Sequence, residues 1–361
     1  MVRIVALLIA GTACLAYSSE EQARKVEVHL YGGDVSPRAP LASWYHEIGI
    51  SDVWLFPCAG AFPQDQKPET QQTPEQFVSN GVLGAYQAVG IRSWWMERPV
   101  PDVLYQSAKD GTHTLWDSSP ETEAIWSNVC KSIETLYADV KRVGFTGLAF
   151  DNEAYYSFEG DESGRVKPWV WKGHESQLGL DGNYYKRGKQ VGEHIHRVWP
   201  HAKVILVYAF GYEGEMWWYR GFQDAGCEVF IGAEHTYGAG PGDFGKEYFQ
   251  CWWNGKKTKE TCDWKRTQFP FIADNLHVMA GLFPIDFGAQ KPNYRARDFR
   301  EQLRSAACDD SNGPIPVWIW PQGPFTPESW QAIAYAEGES AKDYLDALTA
   351  FALRQGTPST K

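Results

Sequence analysis

Eight short apolar runs, separated by longer amphipathic stretches, dominate this 361-residue chain. They lie at 26–33 (VEVHLYGG), 51–58 (SDVWLFPC), 90–98 (GIRSWWMER), 145–153 (FTGLAFDNE), 203–210 (KVILVYAF), 227–234 (CEVFIGAE), 277–284 (HVMAGLFP) and 315–320 (IPVWIW). Such alternation is the pattern of βαβ units. The intervening stretches predict helices, for example over 121–143 and 184–198. The junctions VGF, VWPHAK and DAGCE carry Gly or Pro where a helix hands over to the next strand. No GxGxxG follows the first strand, so eight repeats predict a single closed (β/α)8 barrel rather than a doubly wound sheet. The length alone would admit two domains, but single barrels of 250 residues or more are common. No linker or low-complexity segment interrupts the series, so one catalytic domain over residues 24–354 is expected, with a frayed tail after Arg354.

Composition narrows the class of partner. The net charge is −11 and there is no long Lys/Arg run, which argues against nucleic acid. Aromatic residues make up 15% of the chain, with 17 Trp, 18 Tyr and 18 Phe. That abundance has two readings: a large aromatic core, or stacking platforms for the flat apolar faces of sugar rings. Near the N-terminus, Arg3, the apolar stretch 4–10 and the small residues 11–19 read as an export signal over residues 1–18. Ala13-Cys14 also resembles a lipoprotein processing site, but Gly11 stands where such sites prefer Leu or Val, and a lipid anchor is not favoured. No later segment reaches the 18 apolar residues of a membrane span, so a secreted or periplasmic protein is expected. Without Cys14 six cysteines remain, and Cys251 and Cys262, which flank a polar loop, are the pair expected to form a disulfide.

In a (β/α)8 barrel the active site lies on the loops at the carboxyl ends of the strands. Acidic residues of this chain cluster there in sequence. Asp34 follows strand one, Glu97 ends strand three, Asp151 and Glu153 end strand four, and Glu213 follows strand five. Glu234 and His235 end strand six, with Tyr237 close behind, and Asp286 follows strand seven. Aromatics are interleaved with them: Tyr31, Trp95, Tyr155 and Tyr208, with Trp318 and Trp320 closing strand eight. Carboxylates to act on a bond and aromatics to hold rings are the expected lining of a carbohydrate cleft.

The stretch 144–156 (GFTGLAFDNEAYY) carries the sharpest signal. Side chains alternate along a strand, so Ala149, Asp151 and Glu153 share one face and Leu148, Phe150 and Asn152 the other. If Ala149 points into the barrel, two carboxyl groups stand at its mouth. Close carboxylates repel when both ionise, so one keeps its proton to higher pH. An acid beside a carboxylate is the equipment of glycoside hydrolysis, in which one protonates the leaving oxygen and the other stabilises or attacks the anomeric carbon.

Residues 146–153 (TGLAFDNE) resemble the D-G-x-D-x-D-x-E segment that ends strand four in family 18 glycoside hydrolases, the chitinases and endo-N-acetylglucosaminidases. The last Asp and the Glu are matched by Asp151 and Glu153, while Thr146 and Ala149 replace the first two acids, and strand six has no M-x-Y-D. The resemblance implies that Glu153 is the acid and that Asp151 orients a substrate acetamido group acting as the nucleophile. A second layout resembles retaining α-galactosidase and α-fucosidase types, with Asp151 as nucleophile on strand four and Glu234 as acid/base on strand six. Gly232 then leaves room beneath Glu234, His235 and Tyr237 bind hydroxyls, and Glu213 is the reserve acid. No cofactor or metal is expected. The alternatives are a non-catalytic carbohydrate-binding barrel and a metal-dependent hydrolase, although strand one offers a lone His29 rather than an HxH.

Overall fold

A computed structural model describes residues 26–36, 39–57, 72–97, 118–151, 179–207, 213–233, 277–307 and 315–353. Its eight parallel strands are β1 (Val26–Leu30), β2 (Asp52–Leu55), β3 (Arg92–Glu97), β4 (Gly147–Asp151), β5 (Lys203–Val207), β6 (Glu228–Ala233), β7 (His277–Leu282) and β10 (Ile315–Ile319). They close into a barrel in the order β1-β10-β7-β6-β5-β4-β3-β2, so each strand pairs with its sequence neighbours. Closure is made by β1 on β10, in parallel register from Val26↔Ile315 to Leu30↔Ile319. A small antiparallel pair, β8 (Ile285–Asp286) with β9 (Lys291–Pro292), projects after β7. All eight predicted apolar runs thus contain barrel strands.

Helices α1 (Ala39–Glu47), α2 (Pro74–Ser79), α3 (Val82–Ala88), α4 (Pro120–Val143), α5 (Asn183–Val198), α6 (Glu213–Asp224), α7 (Ala296–Ala307), α8 (Pro327–Gln331) and α9 (Ala341–Leu353) connect the strands. The sequence explains the bounds of α4. Ser119 caps its N-terminus by accepting from Thr122 N at 3.2 Å, Pro120 opens it, and Gly144 at φ 104° ends it in the left-handed region. Glu121 and Glu123 in the first turn and Lys141 and Arg142 in the last complement the helix dipole. Trp126, Val129, Cys130, Ile133, Tyr137 and Val140, spaced at three and four residues, form its buried face. Each large side chain so buried stabilises the fold by about 1.5–3 kcal/mol. Arg187 of α5 crosses to α4, with a two-pronged ion pair to Glu123 (2.7 and 3.0 Å) and its guanidinium 5.2 Å from the Trp126 ring centre.

Two apolar layers result. One lies between the strands and the helices. The other fills the barrel: Trp54, Trp94, Met96, Ala149, Ile205, Val207, Met279 and Trp318, with Tyr31, Phe56, Phe230 and Trp320 against it. Indoles need space, and one small residue supplies it. A Cβ at Gly147 would lie 2.4 Å from Trp94 Cζ3 and 2.8 Å from Lys203 O, so only glycine lets the Trp94 ring cross β4.

Among the described residues no helix is long and apolar enough to cross a membrane. Cys130 and Cys227 are buried free thiols, which burial pushes up to about 11 and about 12 respectively. Cys251 and Cys262 lie outside the described residues, as do residues 1–25. The packing at Gly147 gives a stability test. Gly147→Ala adds a methyl group where the indole lies, a change expected to cost about 1–3 kcal/mol. Urea unfolding should show a lower midpoint with an unchanged slope, and an unshifted midpoint would mean that Trp94 does not pack over residue 147.

Candidate active site

Among the described residues, the inner faces of the strands carry two polar centres, one at each end of the barrel. At the carboxyl end, Asp151 closes β4 on the same face as Ala149, and it is 5% exposed. Its Oδ2 accepts a hydrogen bond from the hydroxyl of Tyr31, which follows β1 across the barrel mouth. Tyr31 is wedged between rings: Trp54 at 5.8 Å, Phe56 at 5.4 Å and Trp318 at 5.9 Å between centroids. Trp54 and Trp318 are fully buried and stacked, 5.2 Å apart with 28° between planes. They form the floor of the mouth. Half-buried at the rim, Trp320 packs on Phe283 at 4.9 Å. Strand register puts Asp151 beside Val207 and Val207 beside Gly232, so one level of the barrel runs from β4 to β6.

At the amino end, Glu27, Asp52 and Arg92 point inward from β1, β2 and β3. Arg92 Nη2 bridges Glu27 Oε1 at 2.8 Å and Asp52 Oδ2 at 2.6 Å. Asp52 also accepts from Ser51 Oγ at 2.7 Å and Trp94 Nε1 at 2.8 Å. Burial pushes Glu27 upward, but its contacts with His29 and Arg92 outweigh this and hold it at about 2. His29, at 3.9 Å, acts there through its field rather than through a formed hydrogen bond. Glu27, His29 and Asp52 bring three atoms of metal-ligating kinds, two carboxylate oxygens and one imidazole nitrogen, within 4.8 Å of one another. Two observations do not fit a metal. The Arg92 guanidinium already bridges both carboxylates, at 2.8 and 2.6 Å, and Trp54 Nε1 donates to His29 Nδ1 at 3.1 Å, which leaves the proton on Nε2, the nitrogen a metal would need.

The sequence-predicted residues therefore separate. Tyr31, Asp151 and Trp320 meet at the mouth, with Trp318 one layer beneath, where it is covered rather than open to a ligand. Trp95 and Glu97 do not line the mouth. On β3 it is Arg92, Trp94 and Met96 that face inward, so Trp95 lies on the helix side against Phe77 and Phe145. Asp34 and Asp286 serve turns: Asp34 accepts from Ser36 N and Oγ at 2.8 and 2.6 Å, and Asp286 from Ala289 N at 2.7 Å. For Glu213 the structure describes its place at the start of α6 but not its side chain, and Glu153, Tyr155, Tyr208, Glu234, His235 and Tyr237 lie outside the described residues. Sequence reasoning missed Trp54 and Phe56 as parts of the mouth, although Asp52, Trp54 and Phe56 share one strand face and its period of two was there to be read.

Glu97 is held on the outer face between α4 and β3. Tyr137 donates to Oε1 and Trp95 Nε1 to Oε2 at 2.8 Å. Burial raises this carboxyl to about 7 against the opposing pull of those two donors. Its pKa is higher folded than unfolded, so the native state binds the proton more tightly, and the stability this group contributes falls as pH rises from about 4.5 to about 7. Thermal melts of the wild type and Glu97→Gln across that window should show the wild type losing stability relative to the variant. Parallel pH profiles would contradict a buried, proton-holding Glu97.

No protein-family model matches the chain, and no curated protein matches its sequence. Among solved structures, the β-galactosidase from the psychrophilic Marinomonas ef1 superposes with a TM-score of 0.51 at 9% identity, over 91% of this chain and 59% of that one. Amy13B of Eubacterium rectale gives 0.51 at 9% identity, over 93% and 80%. A broad-specificity GH5-4 endoglucanase from Clostridium longisporum gives 0.49 at 12%, over 92% and 96%. At these identities the first two likenesses establish the barrel fold.

Proposed function

We propose that this chain is a glycoside hydrolase whose catalytic centre is the carboxyl end of the barrel, with Asp151 as its central carboxylate. One observation carries the reading: a nearly buried aspartate at the mouth, oriented by the Tyr31 phenol and standing over the stacked indoles of Trp54 and Trp318. Glycosidic cleavage passes through an oxocarbenium-like state, and a fixed carboxylate beside the anomeric carbon stabilises the developing positive charge or attacks it. The phenol donor holds that carboxylate at one angle, so little reorganisation accompanies the reaction. The rim aromatics supply apolar faces against which sugar rings stack. The β-galactosidase that shares the barrel lends fold-level support to carbohydrate as the substrate class.

The leaving oxygen needs a proton, and two acids compete for that role in this proposal. Glu153 follows Asp151 by two residues, as in the family 18 frame. Glu234 follows Gly232 by two residues, and Gly232 lies two strands from Asp151 in register, about 10 Å away. Export belongs to the same proposal and rests on the N-terminal eighteen residues.

A panel of polysaccharides and oligosaccharides, with products analysed by mass, should reveal hydrolysis that survives EDTA. On the substrate so found, Asp151→Asn is expected to lower kcat by about a thousandfold while preserving the circular dichroism spectrum. Of Glu153→Gln and Glu234→Gln, the variant of the true acid should lose one limb of the pH profile and retain more activity on substrates with good leaving groups. A fully active Asp151→Asn enzyme would contradict the proposal. Binding without turnover by the wild type would instead fit a carbohydrate-binding barrel.

A further inference from the structure

His29 lies on the inner face of β1, 2% exposed and two residues below Tyr31 on the same face. Its Nδ1 accepts from Trp54 Nε1 at 3.1 Å. An indole nitrogen can only donate, so Nδ1 is the unprotonated ring nitrogen and Nε2 carries the proton. Nε2 faces Asp52 Oδ2 at 3.7 Å and Glu27 Oε2 at 3.9 Å, and forms no hydrogen bond among the described residues. Two carboxylates on that side draw the proton to Nε2 and so maintain the tautomer that accepts from Trp54.

That hydrogen bond sets the rotation of a fully buried indole. Trp54 stacks on Trp318 and presents its edge to Tyr31, and Tyr31 also leans on Trp318 at 5.9 Å and 34°. The phenol of Tyr31 donates to Asp151. A continuous path therefore leads from the charge network at the closed end to the carboxylate at the mouth: hydrogen bond, ring contacts, hydrogen bond. Interiors packed to this density transmit a shift rather than absorb it.

We propose that His29 is a positioning residue, fixing the Tyr31 phenol through Trp54 and, through that phenol, the Asp151 carboxylate. The kinetic part of this inference rests on the catalytic role proposed for Asp151; the geometric part does not. Crystal structures and kinetics of the full chain test both. His29→Leu removes the acceptor at similar bulk, His29→Asn places an amide oxygen near the position of Nδ1, and Trp54→Phe removes the donor while keeping a ring. In His29→Leu and Trp54→Phe the Tyr31 hydroxyl should withdraw from Asp151, and kcat per folded molecule should fall by up to about a hundredfold at nearly constant KM. His29→Asn should restore much of both. If the Tyr31–Asp151 contact persists in the first two variants, or kcat is unchanged in them, the positioning role is overturned. Should His29→Leu fail to fold, Trp54→Phe decides by the same criteria. A wild type inactive on every glycoside would contradict the proposed function instead, and the geometry of the variants would still decide whether His29 positions Tyr31.

Discussion

Closing eight parallel strands creates an interior that side chains must fill, and in this chain indole rings fill it. The pairing of β1 with β10 removes the last free edges and commits one residue in two on every strand to the inside. Trp54, Trp94 and Trp318 occupy the middle of that space. Small residues on neighbouring strands, Gly147 above all, give them room. The rest of the structure follows from this filling. With the centre of the barrel filled by these side chains, the inward-facing charged groups among the described residues lie toward its two ends.

The two ends solve the problem of inward charge differently. At the amino end, the Arg92 guanidinium bridges Glu27 and Asp52, and Ser51 and Trp94 donate to Asp52. Buried pairs of this kind add little net stability, but removing one partner is strongly destabilising. At the carboxyl end, the Tyr31 phenol donates to Asp151 and so sets the direction of one of its carboxylate oxygens. The chemistry proposed above belongs to the mouth, where Asp151 stands over the stacked indoles of Trp54 and Trp318. The indoles between the two ends form the floor of one and the roof of the other.

Most of the fold was legible in the sequence, because uniformly apolar runs alternating with amphipathic stretches leave a parallel sheet wrapped by helices as the simplest solution. The two helices predicted at 121–143 and 184–198 are found as α4 (Pro120–Val143) and α5 (Asn183–Val198), because the periodic apolar face of each, and in α4 the Ser119 and Gly144 caps, are local signals. Facing and depth were harder to read. In SWWMER both faces are apolar, so period two does not say which Trp is inside: Trp94 is, Trp95 is not, and Glu97 goes outward with Trp95. Trp318 on β10 and Trp320 just past its end share one face, as strand alternation requires. Their depths differ by one pleat, and that pleat separates a covered floor from a rim. The turn roles of Asp34 and Asp286 were readable from the Asp-x-Ser and Asp-x-x-Ala spacing, had local hydrogen bonding been weighed against catalysis. The partnership of Tyr31 with Asp151 joins residues 120 apart in sequence, and only the closed barrel brings them together.

The central claim, that the chemistry centres on Asp151 at the mouth, is most directly tested by a crystal structure of the Asp151→Asn variant soaked with an oligosaccharide that the wild type cleaves. The account predicts a sugar ring in the mouth, its anomeric carbon within about 3.5 Å of the side chain at residue 151, with Trp320 or Phe283 against a neighbouring ring. An oligosaccharide bound on the outer face near Trp95 and Glu97, with the mouth unfilled, would contradict it.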